Sequence, residues 1–257
     1  MIRRWTALAC LALSAGTASC IALSVDPNAL ASLEFIATTN PSVVAGDTLR
    51  DTLGVAEPLR ARAYGGDGNE IADAPVTFVA TDTFVTIANG NLLVGRTGVR
   101  GTGKVYAVVG GLQSLVRSVE VIPRPDSIAP NGASIDTVSY RLPTTGSTTD
   151  SSMKVGFIVR SGTSTVNAVR VKFEILRGGA PLALGDTNTY ALIGPQGRVS
   201  TVDTTDGTGI VSRTLRVRTL AGTVLRDTIV VRANATIGGA ALKGAPALFT
   251  IVVLPAS

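Results

Sequence analysis

Apolar and polar positions alternate with a period of two along most of this chain, and clusters of Gly, Asp, Asn and Pro separate the alternating runs. The clearest run is Val169-Arg170-Val171-Lys172-Phe173-Glu174-Ile175. It places Val169, Val171, Phe173 and Ile175 on one face and Arg170, Lys172 and Glu174 on the other. A strand so patterned buries one face and wets the other. The same alternation marks Leu59-Ala61-Ala63, Val76-Phe78-Ala80, Val105-Ala107-Val109, Leu215-Val217 and Ile229-Val231-Ala233. Less regularly, it marks Leu248-Ile251-Val253. The intervening segments Gly65-Gly66-Asp67-Gly68-Asn69, Asn89-Gly90-Asn91, Gly110-Gly111 and Asp206-Gly207 carry residues that tolerate the positive φ of tight hairpins. No segment after the first twenty residues has helical periodicity. Short strands at this spacing predict an all-β protein of sandwich type.

The pattern also repeats. Ala74-Pro75-Val76-Thr77-Phe78 matches Val169 to Phe173 as an extended run ending in Phe, and Val119 to Pro123 matches Ile251 to Pro255 as an apolar strand closed by Pro. Pro123-Arg124-Pro125-Asp126 lies between the copies and reads as a stiff linker. Two β-sandwich domains are therefore expected, at 32–124 and 125–257, each of ordinary domain size. The polar stretch Thr144 to Ser152 reads as a loop of the second.

The first residues differ in kind. Arg3 and Arg4 precede a short apolar run, Trp5 to Ala15, and the small residues Gly16 to Ser19 lead into Cys20. The run is shorter than the roughly 20 residues needed to cross a bilayer and reads as an export signal over 1–19.

Composition sharpens this picture mainly by what it lacks. The chain has no histidine, and its two cysteines, Cys10 and Cys20, both fall in or beside the signal. These counts exclude Ser-His-Asp and Cys-His catalysis, His- or thiolate-ligated metals, and a disulfide within the body of the chain. About 237 residues remain after the signal, enough to bury sizeable cores, with 45% hydrophobic but only 4% aromatic residues. The formal charge of +5 drops to +3 once Arg3 and Arg4 leave, and no Lys/Arg run argues for nucleic acid.

Two resemblances follow from particular residues. Ala18-Ser19-Cys20 resembles the lipobox of bacterial lipoproteins, with Thr17 where that family carries Leu. The resemblance implies that Cys20 becomes the acylated N-terminus, with 20–31 as a lipidated tether, and that the partner of the N-terminal end is a membrane. Ordinary signal cleavage near Ala18, leaving Cys20 as a free thiol, is the alternative. Val43-Val44-Ala45-Gly46-Asp47-Thr48-Leu49, Ala63-Tyr64, Asp67-Gly68-Asn69, Ala74 to Phe78, Val85 to Gly90, Gly95 to Gly98 and Gly103-Lys104-Val105-Tyr106-Ala107 occur in the order seen in bacterial immunoglobulin-like domains. The second half resembles invasin- and intimin-type repeats more loosely, through Val169 to Phe173, Thr205 to Gly209 and Val230 to Ala233. These resemblances imply an exported spacer or adhesion module on the outer membrane or cell surface, or alternatively a secreted or periplasmic one. They imply no catalysis and no cofactor, and they leave a surface protein or glycan ligand open.

Candidate chemistry in the body is sparse. Asp67, Asn69 and Glu70 offer oxygens, but Ile71 stands where a calcium loop needs another oxygen. Asp203 and Asp206 flank a glycine as turn residues do. Arg213, Arg216 and Arg218 alternate with apolar residues on one strand, and the latter two share a face that a solvated sheet explains better than an anionic-polymer or lipid-headgroup surface does. Tyr64, Tyr106, Tyr140 and Tyr190 are too scattered to predict a sugar-stacking platform. A polysaccharide- or cell-wall-binding module would need an exposed aromatic or acidic strip, and a small secreted hydrolase would need two close carboxylates in a cleft. No catalytic or metal-binding residue is assigned. Cys20, for lipidation, is the one residue given a specific chemical role.

Overall fold

The computed structural model describes residues 29–183, 185, 189–222 and 224–256. The predicted signal and Cys20 lie outside the described residues. The chain is all-β, as its period-two pattern requires. The first nine strands are β1 (Leu30–Phe35), β2 (Ser42–Val44), β3 (Ala61–Gly65), β4 (Thr77–Ala80), β5 (Val85–Ala88), β6 (Leu92–Gly95), β7 (Gly101–Val109), β8 (Leu112–Gln113) and β9 (Arg117–Ile122). Thirteen follow: β10 (Ser127–Pro130), β11 (Ile135–Tyr140), β12 (Thr148–Ser161), β13 (Ser164–Thr165), β14 (Arg170–Arg177), β15 (Ala180–Pro181), β16 (Tyr190–Ile193), β17 (Val202–Thr204), β18 (Ile210–Leu220), β19 (Asp227–Asn234), β20 (Thr236–Ile237), β21 (Ala240–Ala241) and β22 (Ala247–Pro255). β1 begins within the stretch 20–31 read as a tether.

Among the described residues, no sheet joins strands before Pro123 to strands after it. In the N-terminal set, a sheet ordered β2-β9-β7-β4 faces the pairs β1-β3 and β5-β6. Phe35, Val43, Leu49, Val85, Leu93, Val105 and Val121 fill the space between them. In the C-terminal set, sheet β10-β12-β18-β16 packs on sheet β11-β22-β19-β14-β15. That core is larger, with Phe157, Val159, Leu192, Leu215 and Val217 from one sheet meeting Val171, Phe173, Ile175, Ile229, Val231 and Ile251 from the other. Branched aliphatics dominate because they fit a pleated surface. Each sandwich places one edge-to-face aromatic pair between its layers: Phe35–Phe78 at 5.6 Å and Phe157–Phe173 at 5.8 Å.

The weak sequence repeat has a structural counterpart. β2-β9-β7-β4 and β11-β22-β19-β14 share one order and one pattern of directions, a parallel pair followed by antiparallel neighbours. The matched sequence runs end in the equivalent strands β4 and β14, and in β9 and β22.

Two local expectations are corrected. Thr148 to Ser152 is strand, not loop, because β12 runs unbroken over 14 residues and pairs with β18 from Thr148↔Leu220 to Ile158↔Ile210. Its polar residues sit on a wet sheet face and at the frayed end of the sandwich, where Thr and Ser suit a strand. In β22 the inward residues are Ala247, Phe249, Ile251 and Val253, whereas Leu248 is 48% exposed. The inward face of this strand starts one residue earlier than the apolar run suggested.

Candidate functional site

The arrangement of most functional interest is the way each sandwich holds its last strand. β2 and β9 run parallel in register, Ser42↔Glu120 to Val44↔Ile122, flanked by Glu120 N–H to Pro41 O at 3.1 Å and Ala45 N–H to Ile122 O at 2.8 Å. β11 and β22 run parallel over Ile135↔Thr250 to Tyr140↔Pro255, flanked by Thr250 N–H to Ser134 O at 2.8 Å and Ala256 N–H to Tyr140 O at 2.7 Å. In both sandwiches an early strand lies beside the last one and points the same way. Chain enters such a pair at one end and leaves at the other. Tension along the chain therefore slides the two strands past each other and loads every rung together, rather than opening one rung at a time.

Tyr140 fixes the far end of the longer ladder. It is 1% exposed, its hydroxyl donates to Leu225 O at 2.9 Å, and it accepts from Leu225 N–H. Tyr190 is buried nearby and donates to Asp227 Oδ2 at 2.8 Å. Burial, then the anionic acceptor, raises the phenol well above its ordinary value. Asp227 also pairs with Arg177 at 2.7 Å.

The sandwiches meet through specific contacts. Ile122 belongs to the C-terminal core and Val44 packs against it. Ser42 Oγ donates to Ala168 O and an Arg170 guanidinium N–H to Thr39 O, each at 2.7 Å. The turn between β20 and β21 presses on the β2–β3 loop so closely that a Cβ on Gly54, at φ +85°, would lie 2.2 Å from Gly238 C and Gly239 N. At the end of the linker, Asp126 accepts from Gly162 N–H and from the Ser127 hydroxyl, and Lys243 N–H bonds Asp126 O. The Gly162 bond, followed by that from Ser127, holds the Asp126 carboxyl below its usual value. The linker read from its prolines is thus tied down at the residue that follows them.

The acids singled out by sequence do not converge. Asp67 accepts from the backbone and side-chain N–H groups of Asn69, a self-contained turn that lowers its pKa, and Glu70 faces Arg62 at 3.6 Å. Asp206 caps its own turn through Thr208 and Ile210, with the Thr208 hydroxyl the main cause of its lowered pKa. Asp203 belongs instead to Arg213. Among the described residues, no group of three or more Asp, Glu, His or Cys side chains is placed to hold a metal ion, and no helix is long and apolar enough to cross a membrane. Arg218 forms a two-point pair with Asp150, 2.8 Å on each side, which lowers the acid's pKa. Glu174 is likewise lowered, first by Arg232 and then by Lys172. Tyr140 and Tyr190 are core residues rather than surface platforms.

Sequence reasoning missed one buried charge. Arg213 is 3% exposed and stands 5.6 Å over the Phe173 ring. It donates to Ser200 O and Ser212 O at 3.2 Å each, to Ser200 Oγ at 3.3 Å, to Val202 O, and to Asp203. Its alternation with Val211, Leu215 and Val217 was the available signal, because that pattern turns it inward. Its work is to pin β17 onto the edge of β14.

No protein-family model matches the sequence, and no curated protein does. Solved structures similar in parts include the Yersinia pseudotuberculosis adhesin InvE, at 13% identity and TM-score 0.34 over 86% of this chain and 58% of that one. Domains 5–6 of the S-layer protein SbsC give 12% and 0.26 over 88% and 99%, and the human desmocollin-1 ectodomain gives 9% and 0.30 over 90% and 42%. The chain thus spans little more than half of the InvE structure.

Proposed function

We propose that this chain is a non-enzymatic, exported surface protein, lipid-anchored at Cys20, whose two sandwiches act as a load-bearing spacer. The observation that carries the reading is the parallel ladder between the second strand and the last, repeated in both sandwiches. A protein fixed to a membrane at one end and to a partner at the other is pulled along its chain. These ladders stand in the direction that resists such a pull. The contacts at the junction support the same reading, since a spacer keeps its reach only if its modules do not fold back on each other. The N-terminal signal and the Ala18-Ser19-Cys20 motif support the anchor. More than one acyl chain is needed for stable attachment, at about 0.8 kcal/mol per buried methylene.

The anchor is tested by metabolic labelling with a palmitate analogue. The wild type is expected to take up label and fractionate with membranes, and Cys20→Ala to do neither. An unlabelled wild type in the soluble fraction overturns the anchored form of the proposal.

A further inference from the structure

The two sandwiches differ in how they cover two strand edges. In the C-terminal sandwich β12 is paired along Thr148 to Ile158 with β18, and the outer edge of β14 is covered by β15 and β17. Among the described residues of the N-terminal sandwich, one of the corresponding edges lies bare. β3 pairs with β1, its other edge is partly taken up by the Tyr64↔Glu70 bridge, and the chain just before it meets β6 at Pro58↔Leu92. β4 ends its sheet, with β7 as its neighbour.

Backbone phase shows what those edges offer. Ala63 O accepts from Ile71 N–H and Gly65 N–H donates to Asn69 O, so the returning segment Asn69 to Ile71 lies along the outer edge of β3 and leaves Ala61 facing the gap before it. Thr81 N–H donates to Lys104 O, so Thr77 and Val79 face β7, while Phe78 and Ala80 turn their backbone groups outward. Between the two edges lies an open groove of about 410 Å³ floored by Ile36, Ala61, Val76 and Phe78. A second groove of about 400 Å³ adjoins it and shares Ile36 and Arg60 with it. Arg60 is exposed on the rim of both, whereas the nearby Glu57 is engaged by Thr39 and Arg62 by Glu70.

We propose that this groove binds an extended peptide segment of a partner protein, which adds a strand to β4. Alternate apolar side chains of the peptide enter the floor, and a carboxylate meets Arg60. An exposed edge of this kind is a template for strand addition, and backbone bonds supply affinity while pockets select side chains. Within the same chain, the second sandwich shows the equivalent edge of β14 covered by β15 and β17. The site does not depend on the anchor at Cys20 or on the load-bearing role.

The test is selection of a phage-displayed library of random peptides, about ten residues long, on the exported chain, a length that spans the groove at about 3.3 Å per residue. Enriched sequences are expected to alternate apolar and polar residues and to carry Asp or Glu. Synthetic copies with the acids replaced by Lys should bind about tenfold more weakly, as should Arg60→Glu binding the originals. Ala61→Pro and Ala80→Pro each delete an N–H that points away from the existing ladders, so both should keep the wild-type melting transition. Ala80→Pro should weaken binding about tenfold, whereas Ala61→Pro should not. Failure to enrich alternating acidic sequences, affinities within twofold across all these variants, or self-association of the chain that either Pro variant abolishes would each overturn the proposal.

Discussion

Asp203→Asn should destabilise the second sandwich more than Arg213→Met does, although Arg213 makes far more contacts. The side chain of Arg213 is 2% exposed and that of Asp203 is 28% exposed. Removing the carboxylate leaves a full positive charge between the sheets with only carbonyls, a hydroxyl and the Phe173 face to compensate it. Breaking a buried pair in this way typically costs 3–5 kcal/mol. The amide oxygen of Asn still accepts, and Asp203 was never fully dry, so about 3 kcal/mol is expected. Arg213→Met removes the charge itself, keeps an apolar stem over Phe173, and lets Asp203 turn to water. What remains is the loss of donors to Ser200 O and Val202 O at a partly open edge, worth about 1–2 kcal/mol. Urea titrations followed by circular dichroism give both values. Limited proteolysis should also find faster cleavage within 194–204 in Asp203→Asn, because β17 loses its pin. Reversal of the order, with Arg213→Met above 3 kcal/mol and Asp203→Asn below 1 kcal/mol, would refute the reasoning that buried charge dominates this site.

Other consequences follow from the same structure. Asp136→Pro deletes an N–H that faces β22, whereas Ser139→Pro deletes one that faces away from it, as the phase set by Ser134 O and Tyr140 O dictates. The first should cost about 2–3 kcal/mol by thermal melting and the second under about 0.5 kcal/mol. With no histidine in the chain, the melting temperature should stay flat from pH 8 to about pH 5. It should then fall below about pH 4. The folded pKa values of Asp150 and Glu174 are depressed by Arg218 and Arg232, so their stabilisation is present above the ordinary carboxylate values and is lost as acid titrates through the lower ones. A constant melting temperature down to pH 2 would contradict those pairings. Gly54→Ala places a methyl inside the β20–β21 turn at a positive φ. Small-angle scattering should show a broadened distribution of overall dimensions while circular dichroism keeps the strand signal.

Much of the fold was legible because its strands each bury one face. Val169 to Ile175 announced β14 residue by residue, and the paired Phe and Pro landmarks located equivalent strands of a repeated sheet. Legibility ended where the partner decides the outcome. Thr148 to Ser152 has no apolar stripe of its own, and only the pairing with β18 makes it strand. Arg213 sat in plain alternation with core residues, yet its carboxylate partner and most of its acceptors come from a segment ten or more positions earlier. The parallel ladders and the junction at Gly54 join residues far apart in sequence, and the bare edge of β4 is defined by what the rest of the sheet leaves uncovered. Local pattern carries no trace of them.

Stretching the whole chain between its two ends by single-molecule force spectroscopy addresses the load-bearing role most directly. Two separate, abrupt unfolding events are expected, one per sandwich. The later and stronger should come from the sandwich closed by the longer ladder, Ile135 to Tyr140 on Thr250 to Pro255. Asp136→Pro should weaken that event alone and Ser139→Pro should leave it unchanged. Extension at low force without discrete events, or two events indifferent to Asp136→Pro, would contradict a spacer built to bear tension.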